Sequence, residues 1–385
     1  MEKENKRTLK VFAWASFLND MGSDMIYPVW PLFVTTVLNA NMAVLGLIDG
    51  LGEALVSISQ AVSGYVSDKT KKRKVFIWTG YLCAMVSRTG YALSAVWQQL
   101  IFFKILDRAG KMRGAPRDAI IADISTREDR GGNFGLLRMM DNLGAVCGIL
   151  LCILLFKFIG YRNLFLLAAI PSLVSVLLVL FLVKEKKAGG IKLFKGLSPR
   201  NLSWNCKLFF LLSAVFALGN FTYSFLLVYA KKLGFAADFM PVLYLIFTAA
   251  ALIFSLPFGK LADKIGRKPL ISLSFAFWAL VVLSFIAQSG RWTIILAFVL
   301  YGMHKGALEP VQRTLVSELA PMEHRASAIG LFQMVIGLCA LPASLVAGML
   351  WDKMGRLIPF YLSLGLTVAA VIMLIFVKEP KTDTL

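Results

Sequence analysis

Two carboxylates one helical turn apart in an otherwise apolar stretch, Asp20 and Asp24, have the plainest capacity for proton chemistry in this chain. Side chains at that spacing share a helix face, and theirs also carries Ser16, Ser23 and Tyr27. Acids held close in a poorly solvated site repel one another, so one of them can take up and release a proton; firm pairing with cations would instead hold both as ions. The cations are at hand in residues 100–121, which contain Lys104, Asp107, Arg108, Lys111, Arg113, Arg117 and Asp118. At about 100° per residue, Lys104, Asp107, Arg108, Lys111 and Asp118 fall on one face of a helix. Arg113 and Arg117 fall opposite, where they would snorkel or pair with loop acids. The charged face reads either as the lining of a hydrated cavity or as an internal ion-pair network, with Asp107 on Lys111 and Arg108 on an acid elsewhere; both can hold together.

Other polar groups are sparser. Asp49 and Glu53 repeat the one-turn spacing and suit an external gate, or a pairing with Arg88. Arg138 and Asp141 are three apart and suit a structural role, paired with each other or with the charged segment 100–121. The second half offers Asn220, Tyr223, Tyr244 and Gln333, and one segment with His304, Lys305, Glu309 and Arg313. His304 reads as a proton site, a substrate contact or a hydrogen-bonded structural ring. With two histidines, His304 and His324, no HExxH or triad spacing is formed, and no GxxxxGK[ST] loop is present. An enzyme is therefore not expected, nor a cofactor, a metal or direct use of ATP.

The elements that position these groups follow from composition. Of 385 residues, 58% are hydrophobic and 16% charged, and mean hydropathy is +0.72, which describes a polytopic membrane protein. The net charge of +19 would suggest nucleic acid in a soluble chain. Here the basic residues gather in alternate loops, which sets orientation in a bilayer. Cys83, Cys147, Cys152, Cys206 and Cys339 are odd in number and scattered, against a disulfide framework or a zinc site. The charged N-terminus enters a long apolar span with no small-residue cleavage site, as an uncleaved first helix does.

Twelve spans can be marked at 9–37, 42–66, 74–96, 98–121, 133–157, 163–183, 207–231, 239–261, 268–288, 292–317, 326–350 and 357–377. Each is near the ~20 residues a hydrocarbon core requires. Pro28 and Pro31 predict a bend in the first. The basic N-terminus and the loops 66–74, 184–207 and 260–268 place both termini and the central loop in the cytoplasm, in the inner membrane. The central segment has linker and turn signals at Gly189, Gly190, Ser198 and Pro199 and room for a short interfacial helix near 191–197. The expected division is 1–183, a linker 184–206, and 207–385.

A repeated stretch ties the halves together. Gly64-Tyr-Val-Ser-Asp68 with Arg73 and Lys74 recurs as Gly259-Lys-Leu-Ala-Asp263 with Arg267 and Lys268, at an offset of 195 residues from Asp68 to Asp263. The same offset relates Asp123 to Glu318, Arg130 to Arg325 and Gly135 to Gly330. The two stretches resemble the helix 2–3 and helix 8–9 loop signatures of the major facilitator superfamily. The run from Leu106 through Arg108 and Gly114 to Asp118 is similar to that family's helix 4 motif, with Lys111 where glutamine is usual. Gly144-Ala-Val-Cys-Gly148 is similar to its antiporter motif without the proline. The resemblance covers essentially the whole chain. It implies an all-α membrane protein of 12 transmembrane helices in two pseudo-symmetric six-helix bundles. It also implies that Gly64, Asp68, Arg73, Gly259, Asp263 and Arg267 form a conformational gate.

The expected function is secondary active transport of a small, amphipathic organic solute by alternating access, proton-coupled through Asp20 and Asp24 and directed outward. Lys104, Asp107, Arg108, Lys111, Tyr27, Asn220 and His304 would line the cavity. Uptake of a small organic anion, and a non-transporting receptor on the same fold, are the alternatives. The expected partners are the solute, protons and the lipid bilayer, with no nucleic acid, and the chain would act as a monomer.

Overall fold

The computed structural model describes residues 3–70, 72–126, 129–184, 202–288, 290–320 and 325–379. The expected helix near 191–197 lies outside them, as does His324. The described residues are helical throughout, without strands. In chain order the helices are α1 (Lys3–Ile26), α2 (Trp30–Leu32), α3 (Met42–Thr70), α4 (Lys74–Leu93), α5 (Trp97–Ala109), α6 (Gly114–Ile124) and α7 (Arg130–Leu182). They continue with α8 (Trp204–Gly219), α9 (Tyr223–Lys232), α10 (Met240–Ile265), α11 (Arg267–Ala287), α12 (Gly290–Leu319), α13 (Arg325–Met354) and α14 (Ile358–Ile375).

Among the described residues, eight segments are long and apolar enough to cross a membrane. One of them is the 51-residue stretch Gly132–Leu182, which is interrupted at Gly160, whose φ of 69° no helix contains. Counting it as two, and adding α1, α4 and the α5–α6 pair, gives the twelve spans of a two-bundle fold. The added three are not among the eight: charged and polar residues sit within them, and α5 and α6 are only 13 and 11 residues long.

Three spans are not the continuous helices their sequence suggests. The first stops at Ile26 and resumes at Trp30, then loosens into a π-turn at Phe33–Val37. The prolines explain this, and Thr35 and Thr36 return hydrogen bonds to the Pro31 and Leu32 carbonyls at 2.8 and 2.6 Å. The fourth breaks at Gly110–Arg113, a tighter 3-10 turn. The seventh breaks between Gly219 and Tyr223, where Asn220 leaves the helical conformation with ψ of 85°.

The chain divides into two compact units, Met1–Ala40 with Leu51–Phe194 and Asn41–Gly50 with Lys195–Leu385. In the first unit, Gly144 and Gly148 of α7 lie directly on the Phe17 and Met21 carbonyls of α1, with no room for a side chain. In the second, Gly302 and Gly306 of α12 do the same against Phe247 and Ala251 of α10. Rings fill the rest of that unit: Trp278 is fully buried and meets Tyr301, His304 and Phe221 at centroid distances of 5.7, 5.5 and 5.7 Å. The cysteines among the described residues are all free.

Candidate functional site

Helix α5 in the first unit carries Lys104, Asp107 and Arg108 toward the turn that links α1 to α2. Lys104 is 3% exposed and sets its ammonium 4.2 Å from the Trp30 ring centre. One turn on, the Arg108 guanidinium lies 5.4 Å from the Tyr27 ring. A cation over an aromatic face is attracted by the ring quadrupole, the more so where water is thin. Arg108 Nε stands 3.6 Å from Asp107 Oδ2 and has no hydrogen-bond partner within the described residues. Across from both cations is Gly52, where an added Cβ would stand 3.2 Å from Lys104 Cε and 3.3 Å from Arg108 Nε. The result is a wall of two cations, two rings and a bare backbone. It is suited to a flat or anionic group.

The break at Gly110–Arg113 overturns one expectation. Arg113 and Arg117 do not snorkel or reach loop acids; they are 6% and 8% exposed and point inward. A phase of about 100° per residue holds only within one continuous α-helix, and the 3-10 turn resets it. Arg113 rests 4.9 Å from the Tyr81 ring and 4.0 Å from Asp20. Arg117 pairs with Asp118 at 3.0 Å and Asp141 at 3.7 Å and donates to Ser16 Oγ. Asp141 also meets Arg138 at 3.7 Å, as expected of that pair. Asp20 is thus near a cation but loosely held, with its side chain 26% exposed and one hydrogen bond from Asn19 at 3.1 Å. Asp24 and Lys111 are half-buried nearby in sequence, Lys111 within the 3-10 turn itself.

Arg88 is not the partner of Asp49 or Glu53 that charge alone suggests. It is taken by other groups. Its guanidinium is buried and donates to the Ala168 and Asn19 carbonyls at 3.1 and 2.9 Å, to Asn19 Oδ1 and Ser23 Oγ at 3.3 and 2.7 Å, and to Ser172 Oγ. Gly22 makes the space, since a Cβ there would collide with the guanidinium. No spacing in the sequence signals this knot.

The repeated loops keep their correspondence. In the first unit Arg73 is 1% exposed and meets Asp123 at 2.5 Å, while Lys74 donates to the Leu180 carbonyl at 2.8 Å. In the second, Arg267 meets Glu318 at 2.9 Å and Asp263 at 3.0 Å, and Lys268 donates to the Ile375 carbonyl at 2.7 Å. Asp68 lies in the last turn of α3, with its side chain outside what is described. Gly64 and Gly259 stand in the corresponding helix ends, the second in open space. Glu379, which no spacing marks in the sequence, receives the Lys268 N–H at 3.3 Å and that of Arg267, at the start of α11.

In the second unit, His304 is fully buried. Its Nδ1 lies 2.8 Å from Ser274 Oγ and 2.9 Å from the Ser274 carbonyl, and its Nε2 lies 3.4 Å from Asn220 Nδ2. Asn220 and His304 therefore come together at the break in the seventh span. They belong to a separate unit from Lys104, Arg108 and Tyr27.

Comparison with known proteins agrees with this architecture. The family model described as Major Facilitator Superfamily matches residues 12–235 and again 208–385. An uncharacterized MFS-type transporter of Methanocaldococcus jannaschii is 36% identical over 98% of this chain and 96% of its own. The multi-drug resistance efflux pump PmrA of Streptococcus pneumoniae is 24% identical over 82% of each chain. Among solved structures, the nucleoside transporter NupG shares the fold with a TM-score of 0.74 at 16% identity, over 97% of this chain and 98% of that one. The chain belongs to the Major Facilitator Superfamily and is an integral membrane transporter, not an enzyme.

Proposed function

We propose that this transporter exports a small amphipathic organic solute in exchange for protons. The solute's polar, anionic end would sit against Lys104 and Arg108 and its apolar part would face rings. Two six-helix bundles, 1–183 and 207–385, would alternate in access about it, joined by a cytoplasmic linker 184–206. The observation that carries this reading is the wall on α5: two cations laid on Trp30 and Tyr27, with the Gly52 backbone packed close beside both. The efflux activity named for PmrA supports the outward direction. Asp20 and Asp24 are the proposed proton carriers. Asp20 is a quarter exposed and 4.0 Å from Arg113, held less closely than Asp123, which meets Arg73 at 2.5 Å. Asp68 and Asp263, with Gly64, Gly259, Arg73 and Arg267, would steady one of the two conformations. The protein would act as a monomer in the inner membrane, both termini cytoplasmic.

The test is a thermal-shift screen of purified protein against amphipathic compounds matched in shape and differing in charge. A ligand at about a hundred times its Kd stabilises by about 2.7 kcal/mol. Anionic members should raise Tm, and Arg108→Gln should weaken them about tenfold, the loss of one charge-assisted hydrogen bond, while sparing neutral members. Equal loss for both would mean that Arg108 serves an internal ion-pair network.

A further inference from the structure

The second unit has a positive end that no acid balances. Lys231 and Lys232 close α9, and Lys353 lies in the last turn of α13. Arg356 follows Gly355, whose φ of 112° turns the chain toward α14. Helix α10 starts at this end with Met240 and runs 26 residues to the repeated loop, so the four cations stand away from that loop. Cations placed there work against the charge asymmetry that orients a membrane protein. Among the described residues none of the four is in an ion pair. The acids of this end are Asp238, which is exposed, and Asp352, whose two oxygens accept the Met42 and Ala43 N–H groups at 3.1 and 2.8 Å.

Helix dipoles explain the three lysines, since a helix C-terminus favours a cation. They do not explain Arg356, which comes just before Leu357, the N-cap of α14, where the dipole favours an anion. Rings fix the charges instead. The Lys232 ammonium lies 5.2 Å from the Trp351 ring centre, and the Arg356 guanidinium 5.4 Å from that of Tyr229. Trp351 and Tyr229 are both buried and meet edge to face at 5.4 Å. Two cations from separate elements are thereby seated on adjoining rings. The buried Tyr229 hydroxyl faces Arg356 and has no other hydrogen-bond partner within the described residues.

An apolar strip begins at the same place. Tyr361 stands near Tyr229, and from it an exposed line runs down α14 through Gly365, Val368, Ile372 and Ile375. Those spacings keep all five on one helix face. A molecule with a phosphate at one end and hydrocarbon below it matches both features. We propose that Lys232 and Arg356 hold the phosphate of an anionic phospholipid in the leaflet at this end, its acyl chains lying along that face of α14. The site is independent of the solute and of proton coupling.

The test uses the full chain, purified and delipidated in detergent, and titrated with dioleoylphosphatidylglycerol under native mass spectrometry. The affinity of the first lipid bound is read in each variant. Lys232→Gln and Arg356→Gln should each weaken it about fivefold, the worth of one cation at a membrane surface, and together about twenty-fivefold. Both side chains are exposed, so neither change should disturb folding. Lys157→Gln, an exposed lysine of the first unit, should leave the affinity unchanged, and dioleoylphosphatidylcholine, which has no net charge, should bind more weakly. Equal affinity in every variant would overturn the site, as would equal binding of the two lipids. Displacement of the lipid by an equal concentration of glycerol 3-phosphate would mean a site for soluble anions and would overturn the lipid assignment.

Discussion

Arg73 on Asp123 and Lys74 on the Leu180 carbonyl in the first unit find their counterparts in Arg267 on Glu318 and Lys268 on the Ile375 carbonyl in the second. The loop ends of the two halves are therefore the same device built twice. Their interiors are not. The first unit encloses Arg88, Lys104, Asp107, Arg113 and Arg117, all under 9% exposed, while the second encloses a ring cluster around Trp278 with His304, and Asp49 apart from it. Duplication preserved the parts that hold helix ends together and left the middle of each bundle free to diverge.

If that contrast reflects function, the largest effect should come from the acids of the first unit. Asp20→Asn or Asp24→Asn should abolish accumulation driven by an imposed pH gradient in proteoliposomes while leaving counterflow without a gradient intact. His304→Phe should do neither. Accumulation surviving in both aspartate variants, or lost with His304, would break the comparison.

Next comes stability. Arg88→Ala strands Asn19, Ser23 and Ser172, and should cost about 3 kcal/mol, read as thermal unfolding in detergent. His304→Phe, which loses fewer bonds and keeps a ring among rings, should cost about 1 kcal/mol. Similar losses would mean that the charged interior is no more structural than the aromatic one.

The paired loops give a finer test. Asp123→Ala should destabilise by about 2 kcal/mol, because Arg73 is buried although the acid is half exposed. Glu318→Ala should cost nearer 1 kcal/mol, since Arg267 keeps Asp263 at 3.0 Å. Smallest in stability is Asp68→Asn, expected within about 0.5 kcal/mol of the native chain yet slower in transport. A native transport rate would leave that aspartate a structural role only.

Much of this is legible in the sequence. Spans, repeat and family follow from composition and a single offset, since a bilayer enforces length and apolarity on every crossing. The grouping of Lys104 and Arg108 also follows, because both lie on the same unbroken helix, α5. Arg113 and Arg117 escape the sequence pattern because the 3-10 turn between them and Arg108 changes the phase. Arg88 escapes it because its actual partners, an asparagine, two serines and two carbonyls, carry no charge to mark them. Asp49 reads as an acid seeking a cation, and its partners are hydroxyls at the start of α9. Charge pairs can be guessed from a sequence; neutral acceptors brought in from distant helices cannot.

The interrupted fourth span bears on how the protein is made. On insertion scales each charge near the middle of a helix costs about 2.5–3.5 kcal/mol. A segment carrying Lys104, Asp107, Arg108, Lys111, Arg113, Arg117 and Asp118 cannot partition into lipid one helix at a time. It has to be released from the insertion machinery together with α1, α4 and α7, whose rings, hydroxyls and acids cover those charges. Insertion of this span is thus expected to depend on its neighbours in the first half. The second, whose spans are all apolar enough to enter singly, is not bound by the same rule.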